Sequence, residues 1–274
     1  IARFKEQLGG KIYGIEPGSG ANTTVSMLNN QSQIAATSSI SLLGGANLNL
    51  VGTNTLNAVL FDNEGGMSNP TLATAVKLTL TAANAVTATN QSPVSVPVIS
   101  GTSLEFSASD PVLTVHAGLA ATGLVISAPI LQSAGMQTLT KQGSGVLALS
   151  GASTFNSPFN LNAGALMFSN NTVLLLGAIT SGPVGRGDLL VGAGTSLLSD
   201  GTVRTIANPV TVNGDFAFGG SGAGAGVILA GKVSLGAAMR TIGVTNYGVT
   251  ATLSGGLQLQ GNGQWVGGRL RFRG

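Results

Sequence analysis

The chain has 274 residues, enough for one large domain or two small ones with a sizeable core. Charged residues make up only 8% of it, whereas an ordinary soluble domain carries about 25%. Gly (42 residues) and Pro (9) are frequent, and Cys is absent. This composition excludes a helical bundle, a disulfide scaffold, a cysteine-ligated zinc site and a highly charged disordered tail. It is typical of many short strands joined by tight turns.

The formal net charge of +3 is a small excess among few charges, and we predict no nucleic-acid partner from it. The chain begins Ile1-Ala2, with no initiator Met and no apolar leader. We therefore predict no secretory signal and an internal piece of a longer protein. The strongest apolar run, from Val173 to Ile179, is far shorter than the roughly 20 residues that a membrane span requires.

Residues 1–28 differ in character from the rest of the chain. The spacing of apolar residues between Ile1 and Leu8 predicts a short helix. Residues 11–15 predict a strand, and after a turn a second helix is predicted to begin at Ala21. We expect this segment either to cap the structure that follows or to be the remnant of a fusion.

The string KIYGIEPGSGAN, at residues 11–22, resembles part of the periplasmic substrate-binding proteins of glycine betaine and choline transporters. This resemblance implies a Gly-rich loop beside a ligand cleft, in which an aromatic cage holds a quaternary ammonium by cation–π attraction. One hypothesis is therefore that the segment is a remnant that binds betaine or choline.

From residue 29 to residue 274 the pattern is constant. Short alternating apolar runs are separated by Gly, Asn, Ser or Asp, which predicts many short strands. The clearest predicted strands lie at 76–80, 111–116, 145–150, 210–218, 227–235 and 256–261. Near the C-terminus, Arg269, Arg271 and Arg273 alternate with apolar residues, which favours a strand over a polyanion contact.

Degenerate internal repeats accompany these strands. NLNLVG at 47–52 is echoed by NLNAGA at 160–165, and RTI recurs at 204–206 and 240–242. Echoes without strict identity are typical of a solenoid, in which each coil supplies inward apolar residues and tight corners. At roughly 20–25 residues per coil, we predict about ten to twelve coils and a rod about 50 Å long.

Residues 139–172 resemble the autotransporter-associated β-strand repeat. The matching residues are Thr140, Lys141, Gly143, Gly145, Leu147, Leu149, Ser150, Gly151, Thr154, Phe155, Asn162, Ala163, Gly164 and Leu166. The segments 199–220 and 229–244 resemble the sequence that follows such repeats in long bacterial passenger domains.

This second resemblance implies an all-β fold, a right-handed parallel β-helix (β-solenoid), with residues 29–274 as a fragment of a passenger domain. It implies a structural or adhesive stalk, extracellular or on the bacterial cell surface. The parent protein is then expected to carry an outer-membrane β-barrel translocator. The expected partner is a glycan or protein of the host surface or matrix.

Few residues suggest chemistry. His116 is the only histidine, and its place in an alternating run favours a surface or hydrogen-bonded strand residue over a Ser-His-Asp triad. Asp62 and Glu64 form the only close acidic pair, which favours a turn, with a calcium loop as the alternative. Trp265 favours packing at the edge of a coil, with carbohydrate stacking as the alternative.

The string GVILAGKV at 226–233 fits the spacing of a phosphate-binding loop but has Val233 where such a loop needs Ser or Thr. We predict two strands joined at Ala230-Gly231 instead.

An enzyme is the remaining alternative, as a β-helix polysaccharide lyase or hydrolase. Such chemistry needs carboxyl groups within about 5–10 Å of each other. It predicts that Asp188, Asp200 and Asp215 cluster on one face of the solenoid. We nevertheless expect a protein that is not an enzyme, and the sequence nominates no catalytic, cofactor-binding or metal-binding residue.

Overall fold

The computed structural model describes residues 34–220, 224–246 and 248–258. It also gives the backbone course of four strands outside these ranges, at 6–7, 11–12, 24–26 and 270–273. The described residues form strands, turns and irregular segments and contain no helix. The predicted all-β class is therefore confirmed.

In chain order, the first strands are β1 (Glu6–Gln7), β2 (Lys11–Ile12), β3 (Thr24–Ser26), β4 (Ser39–Leu43), β5 (Asn47–Leu50), β6 (Thr53–Leu56), β7 (Val59–Asn63), β8 (Thr71–Thr74), β9 (Lys77–Leu80), β10 (Asn84–Asn90), β11 (Val98–Gly101), β12 (Leu104–Phe106), β13 (Val112–Val115) and β14 (Leu124–Ile126). They are followed by β15 (Leu139–Gln142), β16 (Val146–Leu149), β17 (Phe159–Leu161), β18 (Ala165–Phe168), β19 (Val173–Leu175), β20 (Ala178–Ser181), β21 (Leu189–Val191) and β22 (Thr195–Ser199). The last are β23 (Val203–Ile206), β24 (Val210–Val212), β25 (Phe216–Gly220), β26 (Gly226–Leu229), β27 (Val233–Ser234), β28 (Arg240–Val244), β29 (Thr250–Leu253), β30 (Leu257–Gln258) and β31 (Leu270–Arg273).

Two long sheets dominate the described part of the chain. Sheet A has the order β1-β2-β4-β7-β10-β13-β15-β17-β21-β24-β27-β30, and sheet B the order β3-β5-β8-β11-β14-β16-β18-β22-β25-β28-β31. Apart from the antiparallel pair β1–β2, neighbouring strands in both sheets run parallel. The chain alternates between the sheets, adding one strand to each in every coil. This is the parallel β-helix that the sequence predicted.

The coils differ in length. Ile40 lies opposite Val59, 19 residues later, whereas Phe159 lies opposite Leu189, 30 residues later. The ten sheet A strands from β4 to β30 enclose about nine turns. At about 4.8 Å between neighbouring strands, they span about 43 Å along the axis.

Alternating side chains build the core. In β5 the leucines Leu48 and Leu50 are buried, and Asn47 and Asn49 between them are only half-buried. Because parallel strands stack in register, each buried position meets its equivalent in the next coil, as Leu48 meets Leu72. One apolar column therefore runs through the described coils.

Buried amides join successive coils at the corner after sheet A. Asn63 lies directly opposite Asn90, and its side-chain Nδ2 donates to Asn90 Oδ1 (2.8 Å) and Ser95 Oγ (2.9 Å). Asn90 Nδ2 in turn donates to the carbonyl oxygen of Ser95 (2.9 Å). Since both asparagines are fully buried, these bonds satisfy groups that would otherwise be costly to bury.

A third face is interrupted. The strands β6, β9 and β12 form one short parallel sheet, and β23, β26 and β29 form another. Between these two sheets, the coil that runs from β17 to β21 carries the antiparallel hairpin β19–β20. This hairpin accounts for the extra length of that coil.

The two predicted N-terminal helices are wrong at the residues that the structure describes. Glu6–Gln7 and Thr24–Ser26 are strands, and β2 and β3 pair in parallel with β4 and β5. Strand pairing, of β1 with β2 and of β3 with β5, overrides the local helical preference. The rest of residues 1–28 lies outside the described residues.

The strand predictions at 76–80, 111–116 and 145–150 are confirmed by β9, β13 and β16, and the longer predicted runs each divide into two strands at a turn. Of the run at 256–261, Leu257–Gln258 is a strand, and residues 259–261 lie outside the described residues. At the C-terminus, Leu270–Arg273 is a strand, as predicted, whereas Arg269 lies outside the described residues.

Candidate functional site

The structure distributes the candidate chemical residues rather than assembling them. His116 is exposed immediately after β13. Of the pair predicted to form a turn, Glu64 is exposed in the turn that follows β7, whereas Asp62 lies within β7, and the buried polar group there is Asn63. Among the described residues, no group of three or more His, Cys, Asp or Glu residues is arranged to hold a metal ion.

The three aspartates named for a lyase do not converge. Asp188 precedes β21 in sheet A, whereas the other two flank strands of sheet B. Asp215 immediately precedes β25 and Asp200 immediately follows β22, and these two strands pair in parallel along their full length. The two carboxylates thus lie at opposite ends of the pair, about 20 Å apart along the strand direction.

Asp200 is also occupied by a partner. Arg204 Nε donates to Asp200 Oδ1 (2.8 Å), and Arg204 Nη2 donates to Oδ2 (2.5 Å). These hydrogen bonds hold the pKa of Asp200 below its usual value and raise that of Arg204. Such a pair suits a surface brace better than an acid or base catalyst.

The string at 226–233 forms two strands, β26 and β27, joined at Ala230-Gly231 as predicted. Lys232 is exposed at this corner. Of the string at 11–22, the structure describes only the backbone of Lys11–Ile12. The other residues on which the quaternary-ammonium hypothesis depends lie outside the described residues. Trp265 also lies outside them.

Lys141 is the one charged residue among those described that is fully buried. Its Nζ donates to the carbonyl oxygens of Gly143 (2.5 Å), Gly145 (2.5 Å) and Ala163 (2.9 Å). Burial lowers the pKa of Lys141 to about 8. Because all three donors of the ammonium serve backbone carbonyls inside a coil corner, this lysine is a structural brace and is not available to a ligand.

The hairpin β19–β20 is the candidate functional site, because it is the feature that departs most from the regular solenoid. Leu175 lies opposite Ala178, so Leu176 and Gly177 form a two-residue turn. Both have positive φ, 51° and 83°, as in a type I′ turn. Leu176 is the only non-glycine residue with positive φ among the described residues.

Hydrogen bonds on both sides anchor the base of this hairpin. Gly182 exchanges two backbone hydrogen bonds with Ser153 of the preceding coil, at 2.9 and 3.0 Å. On the other side, Thr172 N donates to the carbonyl oxygen of Thr205 in β23 (2.9 Å), and Thr172 Oγ1 donates to Asn208 Oδ1 (3.1 Å). The hairpin is therefore held at a fixed place on the third face.

The tip of the hairpin exposes an apolar surface. The exposed fractions are 52% for Leu174, 64% for Leu175 and 100% for Leu176. No residue between Lys141 and Arg186 carries a charge. Single exposed apolar residues are ordinary, but consecutive ones on a projecting element mark contact sites.

Sequence reasoning noticed this run only as too short to span a membrane. Two apolar runs on either side of Gly177 were available as a hairpin signal, but the turn has Leu176 where Asn or Asp is usual. These leucines face outward because the base of the hairpin is hydrogen-bonded to the coils on either side. The sequence of the run alone does not show these bonds.

No protein-family model matches the chain, and no curated protein or solved structure matches it significantly. Among the described residues there is no helix long and apolar enough to cross a membrane.

Proposed function

We propose that the chain is a section of a structural and adhesive stalk of a surface-exposed or secreted, autotransporter-like bacterial protein. One observation carries the proposal: a hairpin with consecutive exposed leucines is anchored at its base to two coils of a solenoid whose other exposed large apolar side chains occur singly along the described chain. A stalk needs a stiff body that presents a contact element at a fixed place, and this arrangement supplies both.

The body is stiff for a physical reason. Parallel strands of successive coils bond to one another along the axis, and the apolar column fills the interior. Bending such a stack requires breaking hydrogen bonds on one side or opening gaps in a close-packed core. The resemblance of residues 139–172 to autotransporter repeats supports the same function.

The resemblance also supplies the expected setting, with a β-barrel translocator in the parent protein and a glycan or protein of the host surface or matrix as partner. The hairpin is the part of the described surface on which we expect adhesion to depend. A tip of three exposed leucines suits an apolar contact better than recognition of a glycan, which needs polar or aromatic groups.

The cellular setting is tested by adding protease to intact bacteria that carry the parent protein. We expect the chain, followed with an antibody against residues 34–258, to be degraded while a cytoplasmic marker stays intact. If the chain is degraded only after lysis, it is not surface-exposed and the proposal is wrong.

The adhesive role is tested with beads coated with the chain on host cells and matrix. We expect adhesion by the wild type, loss of it in the double variant L175S/L176N, and retention in M67S. Met67 is 75% exposed at a distant corner and controls for the loss of an apolar side chain. Equal adhesion by all three proteins would remove the hairpin from the proposed function.

A further inference from the structure

We propose that the hairpin Val173–Ser181 is a self-association element, and that its partner is the same hairpin of a second copy of this chain. The inference deepens the proposed function and rests on the contact role given there to the hairpin.

The backbone of the hairpin is the first argument. In a hairpin closed by a two-residue turn, the pair beside the turn is hydrogen-bonded and the next pair directs its N–H and C=O groups outward. That next pair is Leu174 and Ile179. Neither residue makes a backbone hydrogen bond to another segment of the described chain. Each side of the tip is thus an open strand edge that another strand can extend.

These open edges favour a protein strand over a lipid bilayer as the partner of the hairpin. Hydrocarbon satisfies no N–H or C=O group, and each unsatisfied group costs several kcal/mol there. A second strand forms hydrogen bonds with the N–H and C=O groups of the edge and also covers the leucines. A two-stranded sheet alone is marginally stable in water, so enlargement to four strands stabilises the tip.

Charge is the second argument, and it selects a second copy. Two identical surfaces carry identical charges, so a contact between copies is favoured where charge is absent. The hairpin lies in an uncharged stretch from residue 142 to residue 185. Across the anchored base, Arg204 is engaged by Asp200 rather than left free to repel its equivalent.

Symmetry is the third argument. A two-fold axis brings two identical edges together in antiparallel orientation, and each residue then meets its counterpart in an isologous contact. Antiparallel pairing is the arrangement already present between β19 and β20. With β19 paired to β19 of the second copy, the four-stranded sheet has the order β20-β19-β19-β20 and is antiparallel throughout.

The strain at the turn is consistent with this role. Leu176 has φ 51° although its side chain, fully exposed, has no packing that would hold it there. A left-handed conformation strains a residue such as leucine, and Asn would avoid most of that strain. Leucine at this position adds apolar surface at the end of the projecting element.

The contact is small, which predicts its strength. Nine residues from each copy are far fewer than the about 20–30 residues a side of a standard stable interface. We therefore expect weak association in solution, which becomes effective where many copies stand close together on one surface.

Sedimentation velocity tests the inference on the whole chain, at protein concentrations from about 5 to about 500 µM. We expect the weight-average sedimentation coefficient of the wild type to rise with concentration toward that of a dimer. In Leu174→Lys, like charges meet at the two-fold contact, and we expect dimerisation to weaken about tenfold or more. The control Met67→Lys adds the same charge at a distant exposed site and is expected to associate as the wild type does.

Leu176→Asn serves as a second variant that removes apolar surface without straining the turn, and circular dichroism verifies that each variant keeps its strands. A wild type that stays monomeric throughout overturns the inference. So does association that Leu174→Lys leaves unchanged, because it then arises elsewhere, such as at an end of the coil stack.

Two further outcomes separate this inference from the proposed function. If the wild type is monomeric but binds vesicles of phosphatidylcholine and phosphatidylglycerol through Leu176, the hairpin contacts lipid and the inference is wrong. If it is monomeric and the coated beads still depend on the hairpin for adhesion, the adhesive function stands and the second copy is not the partner.

Discussion

At the scale of single residues, Lys141 explains why glycines follow it two and four positions later in the segment 140–145, Thr-Lys-Gln-Gly-Ser-Gly. Its ammonium group lies inside a corner whose carbonyl oxygens come from Gly143, Gly145 and Ala163. Gly143 has φ 78°, and a Cβ there would lie 2.3 Å from the carbonyl oxygen of Val115. The glycines thus let the chain turn tightly enough to wrap around one lysine.

Replacement of Lys141 by Met is therefore expected to lower the free energy of unfolding by about 2–4 kcal/mol, because three buried carbonyls lose their donor. The apolar stem is retained, so the effect isolates the ammonium group. Lys232→Met is the matched control, since Lys232 is exposed at another corner, and it should change stability by less than about 0.5 kcal/mol. Urea denaturation measures both variants. Equal free energies of unfolding for the two variants would contradict the proposed structural role of the Lys141 ammonium group.

The pH dependence of the same site has a definite sign. Burial lowers the pKa of Lys141 to about 8, whereas in the unfolded chain it keeps the ordinary lysine pKa of 10.5. Between these values the unfolded chain binds more protons than the folded one, so the Lys141 contribution to unfolding free energy rises with pH. We expect the wild type to gain stability relative to Lys141→Met from about pH 7.5 to about pH 10. A constant difference between the two proteins would contradict the lowered pKa.

The hairpin β19–β20 shows, at the scale of elements, how a coil accommodates an insertion without losing register. Its base is bonded to Ser153 and Thr205, and β17 and β21 on either side remain paired in parallel. The insertion therefore lengthens only the third face, where strand pairing is already interrupted.

The turn of this hairpin yields a stability prediction that is independent of any partner. Leu176→Asn relieves the left-handed strain at φ 51°, and we expect it to raise the free energy of unfolding by about 0.5–1 kcal/mol at low protein concentration. Leu175→Asn is the control, since Leu175 is 64% exposed but does not have a positive φ. Thermal unfolding of the monomer distinguishes them. If Leu176→Asn instead lowers the free energy of unfolding, the Leu176 side chain makes packing contacts that outweigh the strain of the turn.

The whole molecule is a stack in which each coil contacts chiefly its two neighbours. Stability in such an array is close to a sum of coil and interface terms, so a coil with two neighbours is held better than one near an end. The buried apolar column and the strand ladders are continuous through the middle coils.

Hydrogen exchange followed by mass spectrometry should show this gradient. Amides of β15–β18 are expected to exchange slowest, and protection should fall toward β29 and β30, where few side chains are buried. Uniform protection along the described coils would show instead that the solenoid unfolds as one cooperative unit.

The amino-acid sequence was sufficient to predict the fold class, because the two signals that specify a β-helix are local. Period-two alternation sets which residues face inward, as with Leu48 and Leu50, and glycine-containing turns set the corners. It also predicted the positions of individual strands such as β9, β13 and β16, and it marked residues 140–145 as part of a repeat motif without giving the reason for their spacing.

The N-terminal strands, the separation of the aspartates and the outward position of the hairpin could not be predicted from the sequence, because each depends on neighbours that are distant in sequence. Local spacing predicted helix at Glu6–Gln7 and Thr24–Ser26, where pairing with other strands gives sheet instead. The aspartates that one hypothesis grouped are separated by the register of β22 and β25. The hairpin faces outward because Ser153 and Thr205, from the coils on either side, hold its base. Alternation tells which side chains lie inside a coil, but the stacking of coils decides what projects from it.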